Sequence, residues 1–166
     1  MAQRIYQLDE KDETGYLTVK LELVEGEEVQ ILFDMPVRLT QAHNMVEETV
    51  GQAAVERGPL VYCMEGMDAP VETLDDLMLD LNARFMPVSC EIAGRKTVAL
   101  EGNGYQINRN QINRNQINRN QYNRDSLYQT MKQPVLEPVS MRLVPYFAWD
   151  NRGYDEMRIW IPVAYR

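Results

Sequence analysis

The sequence predicts an all-β fold, an antiparallel β-sandwich of the jelly-roll kind with at most one short helix and one long loop rich in Asn, Gln and Arg. Short apolar runs alternate at period two, and Gly, Pro and Asn signals punctuate them. A pentapeptide repeat interrupts this pattern and marks the loop.

Residues 15–24 place Leu17, Val19, Leu21 and Leu23 on one side of an extended chain, which is the signature of a half-buried strand. Glu25-Gly26-Glu27-Glu28 then reads as a tight polar turn, and residues 29–33 as the returning strand of a hairpin. Residues 35–39 continue it at a sheet edge, because Pro36 has no N–H to give a central ladder. Residues 41–50 are polar and irregular and form a connection.

Residues 52–56 and 60–64 are strands joined by the turn Arg57-Gly58-Pro59. In that turn Arg57 has carbonyls, Glu56 or Glu65 as candidate partners. Residues 72–81 fit two readings. One is a short helix capped by Thr73 with Leu74, Leu77, Met78 and Leu81 on a stripe, and the other is an acidic loop with one strand. Further strands are expected at residues 85–92, 97–101, 139–145 and 157–162.

Residues 106–120 are three copies of Gln-Ile-Asn-Arg-Asn, and residues 121–125 are a fourth, imperfect one. A five-residue period rotates each Ile to a new face, so neither strand nor helix can bury it. The repeat is read as a surface loop lengthened by duplication, which closure entropy tolerates. Its Asn and Gln content also suits self-association.

The chain of 166 residues is 45% hydrophobic and 25% charged, a globular composition. Its net charge of −8, without a clustered Lys/Arg face, argues against a nucleic-acid partner. The first ten residues lack the apolar stretch of a signal peptide, and no apolar run reaches membrane-spanning length. Cys63 and Cys90 lack C-x-x-C spacing and read as small buried side chains, and the single His43 has no ligand-spaced neighbour. No metal or other cofactor is expected in this chain.

Three stretches together resemble glycoside hydrolase family 127, the β-L-arabinofuranosidase family. They are Met35-Pro-Val-Arg38, the run from Gln52 to Glu65 with its Arg-Gly-Pro-Leu-Val-Tyr core, and Leu143-Val-Pro-Tyr-Phe-Ala-Trp-Asp-Asn-Arg-Gly153 leading into residues 156–162. The resemblance implies a large helical barrel followed by two β-sandwiches. Residues 1–50 would then be the tail of the first sandwich, and residues 51–166 the second, carrying the repeat loop at 106–125. It further implies that zinc, a cysteine nucleophile and a glutamate acid/base belong to the barrel, so neither cysteine here inherits a catalytic role. Relatives that act on plant glycans are exported or periplasmic in some bacteria and cytoplasmic in others, which leaves localisation open.

Three functional readings follow. The leading one is a non-catalytic accessory domain packing against the catalytic barrel, which predicts an exposed apolar patch. The second is a module binding arabinose-containing oligosaccharides through displayed aromatics, with Tyr146, Trp149, Asp150, Asn151 and Arg152 as candidate contacts. An autonomous hydrolase ranks third, since it needs a nucleophile and an acid/base that no motif supplies. For the 149–153 turn itself the structural reading is a side chain bonding local backbone and Gly153 at positive φ, with Trp160 and alternate residues of 157–161 facing the core.

Overall fold

A computed structural model describes residues 16, 20, 22–108 and 134–165, which fall into two compact units, 1–32 and 33–166. In the first unit the Glu25-Gly26 turn forms as expected. Gly26 adopts φ +88° and the Glu27 N–H donates to the Val24 carbonyl at 3.0 Å. The strand at 15–24 lies mostly outside the described residues. The strand expected at 29–33 does not form, and residues 22–36 join no ladder. Alternation supplies a face but no partner strand for the backbone groups, and Leu32 is left 91% exposed.

Among the described residues the second unit holds nine strands, β1 (Val37–Thr40), β2 (Gln52–Arg57), β3 (Leu60–Glu65), β4 (Leu77–Asp80), β5 (Met86–Ile92), β6 (Arg95–Ile107), β7 (Leu136–Pro145), β8 (Met157–Arg158) and β9 (Ile161–Ala164). The all-β expectation holds, but the architecture is a closed mixed barrel rather than an antiparallel sandwich. The ring runs β2-β9-β4-β6-β7-β3 and returns to β2. Closure is possible because β2 divides its edges, pairing Gln52 and Ala53 with β9 and residues 55–57 with β3. One pairing is parallel, Leu79 opposite Val163 between β4 and β9. The remaining strands attach outside the ring: β1 to β2, β5 to β6 and β8 to β3. β1 is an edge, as Pro36 dictates.

Tight turns reflect local chemistry. Gly58 and Pro59 join β2 to β3, with Gly58 at φ +56°. Ala93 and Gly94 join β5 to β6 with φ of 50° and 75°, the left-handed pair that suits strand twist.

The residues 72–81 resolve into the loop and strand. Leu74–Asp76 is one 3₁₀ turn whose cap, Thr73, accepts the Asp75 N–H, and β4 follows at once. Leu77 and Leu79, two residues apart, both enter the core, which a helix would not allow.

Strand alternation creates two apolar layers. Tyr62 and Met64 of β3 join Val55, Leu79, Leu100 and Leu143 inside the ring. Cys63, between them in sequence, lies with Val144 in an outer layer completed by Ile92 and Ala148, with Cys90, Met157 and Ile159 packed on it. Ile161 reaches the inner core, while Trp160 is half-buried. The repeat begins inside regular structure, because Gln106 and Ile107 end β6, and Gln106 and Asn108 both donate to Glu137. The remainder of the repeat lies outside the described residues.

Candidate functional site

The turn after β7 is built in steps. Tyr146–Ala148 forms a 3₁₀ turn, closed by the Trp149 N–H donating to the Tyr146 carbonyl at 3.1 Å. In 3₁₀ geometry residues i and i+3 eclipse, so Tyr146 and Trp149 stack, with ring centroids 6.0 Å apart and planes 8° from parallel. Ala148 points down into the outer apolar layer, whereas Tyr146 and Phe147 are exposed and Trp149 is 36% exposed.

The chain then reverses. Asp150 adopts φ 62°, the Asn151 amide donates to the Trp149 carbonyl at 3.1 Å, and Gly153 takes φ 135°. These are the local bonds and the positive φ expected of the turn. Asp150 is held by its backbone N–H, which donates to Glu65 Oε1 at 3.0 Å. Arg152 turns inward, where its guanidinium meets the Glu65 and Asp68 carboxylates. Glu65 therefore pairs with Arg152 and not with Arg57, and Glu56 pairs with Arg38 across the β1–β2 ladder.

Glu65 is 1% exposed, at the end of β3. A carboxylate that deep needs a cation and hydrogen bonds, and it has both. The bond from Arg152 to Asp68 is the main reason its guanidinium is held above its usual range, with Glu65 adding to it. Of the five candidate contacts, the structure brings Tyr146 and Trp149 together at the surface and commits the partly buried Arg152 to Glu65 and Asp68.

Sequence reasoning missed an adjoining cleft of about 390 Å³, lined by Thr73, Asp75, Trp149, Tyr154, Glu156 and Arg158 among others. Arg158 pairs with Asp75, and Glu156 Oε2 accepts from the Leu74 N–H at 3.0 Å and the Thr73 hydroxyl at 3.3 Å. The only local signal was the i, i+2 spacing of Glu156 and Arg158, which puts both on one side of an extended chain.

The described residues do not fit a zinc centre, because no three His, Cys, Asp or Glu side chains converge. Burial, reinforced by the Glu65 charge, pushes the Cys63 thiol up to about 12. A zinc-binding or nucleophilic cysteine requires the opposite shift.

The family model of the glycoside hydrolase family 127 C-terminal domain matches residues 37–162. Over 152 residues the chain is 30% identical to the non-reducing end β-L-arabinofuranosidase of Bifidobacterium longum subsp. longum, covering 89% of this chain and 21% of that protein. The crystal structure of Ara127N-Se, a GH127 β-L-arabinofuranosidase from Geobacillus stearothermophilus T6, superposes with a TM-score of 0.64 at 30% identity, over 78% of this chain and 18% of that one. A further solved structure, described as a glycoside hydrolase, gives 0.63 at 38% identity, over 80% and 20%. The chain thus spans about a fifth of the length of the relatives it matches.

Proposed function

The chain belongs to glycoside hydrolase family 127 as its C-terminal domain, and from that premise we propose that it is a non-catalytic accessory domain supporting the catalytic helical barrel of a β-L-arabinofuranosidase-like enzyme. The observation that carries this reading is an overlap. The family match, residues 37–162, coincides with the strands β1 to β9, and the chain as matched covers about a fifth of each relative. The exposed side chains of Tyr146 and Phe147 give the domain an apolar face suited to packing against such a partner. The raised Cys63 thiol supports a structural role for that residue.

Two assays test the proposal. The chain alone, with p-nitrophenyl β-L-arabinofuranoside and added zinc, is expected to show no turnover, and turnover would overturn the non-catalytic assignment. Replacing the corresponding C-terminal fifth of the Bifidobacterium enzyme by this chain is expected to yield a folded, active chimera, whereas deleting that fifth gives an insoluble or inactive one. A chimera no better than the deletion counts against the supporting role.

A further inference from the structure

We propose that the cleft between the 3₁₀ turn at Leu74–Asp76 and β8 binds a neutral sugar ring, with Trp149 and Tyr154 as its apolar walls and Asp75, Glu156 and Arg158 bonding its hydroxyls. The cleft volume, about 390 Å³, lies in the range of small-molecule sites.

Its lining offers the mixture a sugar needs. The C–H face of a sugar ring packs on aromatic carbon, and Tyr154 is 96% exposed and available to it. Trp149 is fixed in orientation by its stack on Tyr146, so its remaining face is presented without further ordering. Vicinal hydroxyls both donate and accept. The paired Asp75 and Arg158 supply acceptor and donor side by side, and the Glu156 carboxylate is positioned by Thr73 and Leu74.

Charge narrows the ligand further. Three carboxylates, Asp75, Asp155 and Glu156, face one guanidinium, Arg158, so an anionic sugar is repelled. A simple cation is also poorly served, because each carboxylate already has a partner: Arg158 for Asp75, Thr73 and Leu74 for Glu156, and the Glu156 N–H for Asp155. A neutral polyol uses the lone pairs that remain. This inference goes beyond the accessory role, since a domain supports a barrel with or without a ligand in its own cleft.

The test is an amide NMR titration of the full chain with methyl β-L-arabinofuranoside, an arabino-oligosaccharide, galacturonate and choline. Saturable shifts around Trp149, Tyr154 and Arg158 with the neutral sugars, in the millimolar range, and weaker effects from galacturonate and choline are the expected result. Asp75→Asn should weaken sugar binding about tenfold while leaving the fold intact, because the Asp75–Arg158 pair lies at the surface. Trp149→Ala should weaken it by a similar factor. Absence of saturable shifts at the cleft, tighter binding of choline than of sugar, or undiminished affinity in a folded Asp75→Asn variant would each overturn the proposal. A chain that binds no sugar yet restores the chimera keeps the accessory role and removes only this site.

Discussion

Arg152 and Glu65, 87 residues apart in sequence, form an ion pair that ties the turn after β7 to the end of β3. Asp68 shares the guanidinium from the 3₁₀ turn beyond β3. Glu65 is nearly inaccessible, so the pair matters less for its attraction than for the penalty of separating it. Arg152→Ala strands a buried carboxylate and should cost about 3–5 kcal/mol of unfolding free energy. Asp68→Ala leaves Glu65 paired and should cost distinctly less. Urea unfolding of the two variants checks the order, and an Arg152→Ala variant as stable as the parent would show the pair to be dispensable.

Gly104 sits at a close approach of β6 to β4 inside the barrel wall. A Cβ placed there would collide with the Met141 sulfur and lie 2.5 Å from the Met78 carbonyl oxygen on β4. The methionine can rotate away, but a carbonyl in a ladder cannot. Gly104→Ala is therefore expected to destabilise the fold by about 1–3 kcal/mol, the usual range for overpacking. Thermal unfolding measures it, and an unchanged midpoint would mean that β4 yields.

Ala93 offers the opposite opportunity. It occupies the first of two left-handed positions in the β5–β6 turn, at φ 50°, and is exposed. A residue with a Cβ pays about 1 kcal/mol in that region, which Asn offsets by local hydrogen bonding. Ala93→Asn should raise stability by about 0.5–1 kcal/mol. A lower unfolding midpoint would contradict the turn geometry.

The strands β2, β3, β6 and β7 were legible in the sequence because each holds a short apolar stretch bounded by turn residues, as with Gly58 and Pro59. Barrel closure was not, since alternation tells which face a side chain takes and nothing about the strand beside it. Leu74, Leu77, Met78 and Leu81 satisfy helical spacing while Leu77 and Leu79 satisfy a strand, and the core decided between them. At the surface, the aromatic density of residues 146–154 was legible. The Asp75–Arg158 contact, across 83 residues, and the capture of Arg152 by Glu65 required the folded chain. A single sequence presents Arg152 as a surface donor, while the fold turns it into a partly buried tie to Glu65.

Cys63 and Cys90 share the outer apolar layer but differ in access, Cys63 being buried and Cys90 half-buried. A thiol reagent should modify Cys90 in the native protein and reach Cys63 only on unfolding. Alkaline stability adds a second readout. The Cys63 thiol is raised from an ordinary value of 9.0 to about 12, chiefly by burial, so between those values the unfolded chain releases a proton that the folded chain retains. Its contribution to stability is present below pH 9 and lost as pH rises toward 12. Tyr62, raised from 10.0 by burial, steepens the loss above pH 10. The Cys63 share is therefore best read between pH 9 and 10, where Cys63→Ala should flatten the decline by up to about 1.4 kcal/mol per pH unit. Parallel pH profiles for the two proteins, or rapid native labelling at Cys63, would show that the thiol is not sealed beneath the β5 hairpin.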